Sequence, residues 1–170
     1  AFRALDVIGP AAAPAIPTLA KQLEHDDPFV RVGATFALGG IGPEALPALE
    51  KSLNDEAWYV AVIALQKIGQ MGTAAAPIVK PLMQQFDHLN GDRSNWAAAA
   101  LRDIGPAAEE VMPELIQAVQ TRSHNVRWWS AEALGRLGPV ARDAVPVLEK
   151  ATGDKDDELM RIYARIALFQ

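Results

Sequence analysis

Apolar residues recur along this chain with the spacing of amphipathic helices, and residues 126–150, VRWWSAEALGRLGPVARDAVPVLEK, show the whole pattern once. Val126, Trp129, Ala133, Leu134 and Leu137 fall at i, i+3, i+7, i+8 and i+11, which is one face of a 3.6-residue helix. Gly138 can close that helix in a left-handed conformation, and Pro139, lacking a backbone N–H, cannot continue it. Ala144, Val145, Val147, Leu148 and Ala151 then form a second stripe, with Pro146 in the first turn, where a missing donor costs nothing. Two such helices leave part of each stripe uncovered, so one unit needs neighbours stacked on both sides.

The rest of the chain repeats this unit. The helix-ending motif reads ALDVIGP from Ala4, ALGGIGP from Ala37, ALQKIGQ from Ala64, ALRDIGP from Ala100 and ALGRLGP from Ala133, in steps of 33, 27, 36 and 33 residues. The second halves follow as AIPTLAKQL from Ala15, ALPALEKSL from Ala45, AAPIVKPLM from Ala75, VMPELIQAV from Val111 and AVPVLEKAT from Ala144. Asp27, Asp55, Asp92, Ser123 and Asp156 precede first helices, where their oxygens can cap free N–H groups. A sixth first helix, ELMRIYARIALF, runs from Glu158. The expectation is eleven helical segments in antiparallel pairs, with no strand, forming one repeat domain over residues 1–170. Leu38, Ile41, Leu65, Ile68, Leu101, Ile104, Leu134 and Leu137 should share a continuous core.

Departures from the pattern carry their own expectations. The third unit has Gly69-Gln70 in place of Gly-Pro and carries both Pro77 and Pro81, so its second helix must kink or start late. Three residues are missing between Gly42-Pro43 and Pro47, relative to Gly9-Pro10 and Pro17, so that turn should be tight. The opening AFRALDVIGP matches only the end of a first helix, so the sequence reads as a piece of a longer protein with a partial repeat at each end. Leu5, Ile8, Ile162, Ile166 and Phe169 then sit on stripes without a covering helix, and self-association through those ends is expected.

The pattern VRxxxAxALGxxGP followed by AVPxL resembles, over essentially the whole chain, the short HEAT-like repeats named after phycobilisome lyases. Neither the tetratricopeptide nor the ankyrin signature is present in register. The resemblance implies an all-α fold, a right-handed α-α superhelix with a period near 33 residues. Family members include bilin lyase subunits, adaptor scaffolds and, more distantly, HEAT-like DNA glycosylases, so function has to be argued from a site. The Asp-then-Val-Arg opening of these repeats survives as Asp27 with Val30-Arg31, in part as Val126-Arg127, and as Met160-Arg161. Trp58 and Ser94 stand at the arginine position in units three and four, which would interrupt an Asp/Arg ladder there.

Composition narrows the function classes. Half of the residues are hydrophobic, and the formal net charge of -5 argues against general polyanion or nucleic-acid binding, which draws on clustered Lys and Arg. There is no cysteine, hence no disulfide or thiolate chemistry, and no apolar run approaches the roughly 20 residues of a membrane helix. His25, His88 and His124 sit in or beside separate turns. Packed helices lie about 8–10 Å apart, too far for one ion with bonds of about 2 Å, so neither a metal nor a cofactor nor catalysis is assigned.

Two sets of residues remain as candidate binding groups. Trp58, Trp96, Trp129 and Tyr163 lie early in first helices, with Tyr59 and Trp128 adjacent. The shared register of Trp96, Trp129 and Tyr163 reads as packing between units, whereas Trp128 is one position off the stripe and should be exposed. Counting four residues on from each second-helix proline gives Lys21, Lys51, Pro81, Gln117 and Lys150, with Lys80 just before the third. If second helices line the concave face, this row suits an extended acidic or phosphorylated segment, although the macrodipole alone favours lysine late in a helix. The expected function is a protein-interaction scaffold binding a partner protein or peptide on the concave face of the solenoid. A bilin-lyase-type subunit is the alternative, and a nucleic-acid-binding protein the third reading.

Overall fold

The computed structural model describes residues 9–87, 91–121 and 124–169. Among them are ten α-helices: α1 (Ile16–Gln22), α2 (Pro28–Ile41), α3 (Leu46–Ser52), α4 (Trp58–Gln70), α5 (Val79–Gln84), α6 (Gly91–Ile104), α7 (Met112–Thr121), α8 (His124–Leu137), α9 (Val145–Ala151) and α10 (Glu158–Leu168). Even-numbered helices are the first helices of units two to six, and odd-numbered ones are second helices. The segment expected ahead of Gly9, with Leu5 and Ile8, lies outside the described residues, as do Ser123 and His88. No strand occurs among the described residues.

Among the described residues, five 3₁₀ links lead into the second helices. Four links are seven residues long (Gly9–Ala15, Gly72–Ile78, Gly105–Val111, Gly138–Ala144), and the one after Gly42 shrinks to Pro43–Ala45, the expected tight turn. In the third unit no proline follows Gly69, so α4 continues through it, and Gly72 (φ 56°) makes the left-handed break instead. Gly69 is used for close approach: a Cβ there would sit 3.1 Å from the Ala100 backbone of α6. Pro77 is consequently still in the link. α5 starts two residues after it and is only six residues long, whereas α1, α3, α7 and α9 start one residue before their prolines.

The first helices pack in succession, α2 on α4, α4 on α6, α6 on α8 and α8 on α10, and each second helix packs on the first helix of the next unit, so every substantial contact stays within a unit or reaches the next. The result is an α-α repeat superhelix. The eight expected core leucines and isoleucines are all at most 2% exposed and form a continuous interior. Val145 is an exception to its predicted stripe. It stands about 100° from Ala144 around the helix and is 39% exposed, whereas Ala144, Val147, Leu148 and Ala151 are buried. No helix among the described residues is long and apolar enough to cross a membrane.

The caps follow the sequence only in part. Asp27 accepts from the Phe29 N–H at 2.8 Å, as expected. Asp55 sits ahead of α4 and accepts from Ala57 N–H rather than from a helical amide, while Asp92 lies inside the first turn of α6. Asp157, not Asp156, caps α10 by accepting from Met160 N–H at 2.8 Å. The reason is Asp154, which takes the amides of both Asp156 and Asp157 at 3.1 Å, using up one more residue before the chain becomes extended.

Candidate functional site

The late start of α5 decides what becomes of the lysine row. Lys21, Lys51, Gln117 and Lys150 are each the sixth residue of their helices and all exposed. Lys80 is the second residue of α5, out of that register, and pairs with Glu110, whose hydrogen bond and charge hold its ammonium pKa above the usual value. The register position in unit three is the half-buried Pro81. Thus three lysines and Gln117 align, with a gap at the centre, and exposed Glu50 and Glu149 lie beside Lys51 and Lys150.

At the turns between units, arginines act as clamps. Arg31 grips Asp55 with Nε and Nη2 at 2.8 and 2.9 Å, reaches Glu56 at 3.2 Å, and donates through Nη1 to the carbonyls of His25 and Asp26. The hydrogen bond that it donates to Asp55 raises its pKa further. Arg127 donates to the Val119 carbonyl at 2.8 Å and to Asp154 at 2.5 Å, with Asp157 at 3.4 Å, and Arg161 reaches the Asp154 carbonyl. Arg127 thereby holds the Asp154 carboxyl below the ordinary carboxylate range. In unit four the arginine comes one position early. Arg93 is buried, its pKa is lowered by desolvation, and it donates to the carbonyls of Leu53 and Asp55. Arg93, which register counting passed over, thus reaches backbone carbonyls from the position beside Ser94. Ser94 instead donates to the carbonyls of Gln85 and Phe86.

The aromatic residues lie along the first helices and divide into two kinds. Trp128, expected on the surface, is half-buried: its Nε1 donates to both oxygens of Asp157 at 2.9 Å and its ring stacks on Tyr163 at 6.4 Å. The indole N–H explains the difference, since Asp157 offers a buried acceptor that helix periodicity does not reveal. Trp129 and Tyr163 also pack between units, and the Arg102 guanidinium, held by Asp103 and Glu132, lies over Trp129 at 5.2 Å. Trp96 and Trp58 keep more surface, 39% and 45%. Phe29, which sequence reading missed, is 75% exposed; its only sequence signal was an apolar residue off the stripe directly after Asp27-Pro28. Its ring stacks on Tyr59 of the next unit at 6.3 Å, and Tyr59 meets Trp58 edge-on at 5.8 Å. Leu159, Ile162, Ile166 and Phe169 of the last helix and its C-cap are exposed, as the uncovered stripe implied.

Two clefts lie between neighbouring units. One, of about 430 Å³, runs between the turns after α1 and α3 and is lined by Glu24, Asp26, Asp55 and Glu56 with Arg31. The other, of about 250 Å³, lies between α4 and α6 beside Trp96, Gln66 and Asp103.

Comparison with known proteins agrees with this architecture. The family model described as HEAT repeats matches three overlapping stretches, residues 1–67, 16–102 and 79–168. No curated protein matches the sequence. Among solved structures, the complex of CpcE and CpcF of phycocyanin lyase from Nostoc sp. PCC7120 is similar at TM-score 0.71 and 16% identity, over 91% of this chain and 98% of that one. An engineered protein from a structural genomics consortium matches at TM-score 0.63 and 23% identity, over 99% and 87%. Computationally designed armadillo repeat proteins for modular peptide recognition match at TM-score 0.59 and 20% identity, over 99% and 90%. At these identities the likeness is one of fold.

Proposed function

The chain belongs to the family of HEAT repeats, and from that premise we propose that it is a non-catalytic scaffold binding a partner protein or peptide along the outer face of its first helices. The observation that carries this reading is the exposure of Phe29, Trp58 and Trp96 on three consecutive first helices. Large aromatic side chains left on a surface are the kind that dominate protein interfaces, and a rigid array of helices presents them without ordering a loop. The designed armadillo proteins of the same fold are described as recognising peptides. The second helices offer another face, where Lys21, Lys51 and Lys150 with Gln117 would meet an acidic or phosphorylated segment.

Selection from a random-peptide display library against the intact protein tests the proposal. Enriched peptides should lose binding to a Trp58→Ala/Trp96→Ala variant that keeps its helical signal. Binding lost instead in Lys21→Glu/Lys51→Glu would move the site to the second helices, and failure to enrich any binder would overturn the scaffold reading. A lyase-type subunit, the function of the phycocyanin lyase neighbour, would shift the visible absorption of an added open-chain tetrapyrrole; the scaffold reading expects no shift.

A further inference from the structure

The turns after α1 and α3 bring exposed rings and carboxylates to one edge, and we propose that this edge docks a basic polypeptide segment whose arginine or lysine side chains alternate with apolar ones. The inference rests on the scaffold reading and names the chemistry of a partner at one end of the first-helix face.

The rings come from two neighbouring units. Phe29 is held at the start of α2 by the Asp27 cap and by Pro28, so its exposure is a fixed feature of the helix end. Tyr59 links it to Trp58, giving a continuous three-ring patch. Burial of such a patch by apolar side chains of a partner is favourable in proportion to the area covered.

The charge exposed within the two turns has one sign. Glu24, Asp26, Asp27 and Glu56 are exposed, and Glu24, Asp26 and Glu56 line the roughly 430 Å³ cleft together with Asp55. Arg31 is the cation of this cleft, but its side chain is only 7% exposed, and it spends its donors on Asp55, Glu56 and two backbone carbonyls. Its charge is thus directed inward onto Asp55, and the carboxylates of Glu24, Asp26 and Glu56 are left exposed. An incoming guanidinium or ammonium gains from the carboxylates and from the faces of Phe29 and Trp58 at once. The same field repels nucleic acid, anionic lipid and acidic peptides. Among the described residues around Arg127, Trp128 and Tyr163 are half-buried and stacked on each other, and Asp157 is buried.

The probe for a test is a fluorescein-labelled octapeptide of alternating Leu and Arg, titrated against the full chain by anisotropy, with Leu/Glu and Ser/Arg octapeptides as controls. The Leu/Arg peptide should bind, and raising salt from about 0.05 to about 0.5 M should weaken it. Phe29→Ser and, separately, Asp26→Lys/Glu56→Lys should each raise its Kd about tenfold or more with helical signal and melting temperature kept. Trp58→Gln gives a second reading of the ring contribution should Phe29→Ser fail to fold. Lys21→Glu/Lys51→Glu should not weaken the peptide. Unaltered binding to the charge-reversed variant, equal binding of the Ser/Arg peptide, or no binding of the Leu/Arg peptide would each overturn the proposal. A display library that still enriches peptides dependent on Trp96 would leave the scaffold reading standing in that event.

Discussion

Arg31 and Arg127 stand at the same place in two first helices, six residues ahead of the Ala-Leu pair of each stripe, yet their surroundings finish differently. Around Arg31 the guanidinium closes on Asp55 and also reaches Glu56, and the rings of Phe29 and Trp58 remain outside. Around Arg127 the guanidinium spreads over Val119, Asp154 and Asp157, and Asp157 also receives the Trp128 indole, which carries its ring into the stack with Tyr163. A repeat position therefore fixes the clamp, while the neighbours of the arginine decide whether aromatic side chains become packing or surface. Phe29 has no polar handle to draw it inward; Trp128 has one.

The sharpest way to separate the two clamps is to remove each arginine. Arg31→Ala strands Asp55, whose side chain is 9% exposed, with only the Ala57 amide as compensation, and should cost about 3 kcal/mol. Arg127→Ala should cost about 1–2 kcal/mol, because Asp154 keeps the amides of Asp156 and Asp157, and Asp157 keeps Met160 N–H and the Trp128 indole. Urea midpoints measure both. Equal losses would show that the clamps are energetically interchangeable.

A smaller effect tests the aromatic side of the comparison. Trp128→Phe keeps a ring against Tyr163 but removes the donor to Asp157, and should lower stability by about 1 kcal/mol. Trp58→Phe, on the exposed patch, should change it by less than about 0.5 kcal/mol. Should the two variants melt together, Trp58 belongs to the packing and the patch is smaller than described.

Most of the fold was legible because its signals are local. The apolar period marked the eight core residues, a Gly-Pro pair ended each regular first helix, and the missing Gly-Pro with two prolines foretold the late start of α5. The candidate site was legible only in pieces. Lys80 left the lysine row because of that same late start, whose consequence for register a count from prolines could not carry. Arg93, one position early, reaches back to backbone carbonyls in the turn between units two and three. Trp128 turned inward for Asp157, a partner 29 residues distant in sequence. Phe29 stayed outside because no neighbour covers it. Each of these depends on what another unit places opposite, and periodicity within one helix is silent about that.

The smallest expected effect concerns acid. Asp154 has its carboxyl held below the ordinary range, first by the hydrogen bond from Arg127 and then by the Asp156 amide. With the folded pKa depressed, the unfolded chain binds more protons between the two values. The stabilising contribution is then fully present above the unfolded value of about 3.9 and is lost as pH falls through the lower folded value. Asp154→Asn removes the carboxylate at every pH. Wild type should therefore exceed the variant in urea midpoint by a constant small margin from about pH 7 to about pH 5, and the margin should close progressively below about pH 4. A margin that persists undiminished to about pH 3 would mean that protonation of Asp154 is not linked to this clamp. Arg127 would then be held by Asp157 and the Val119 carbonyl.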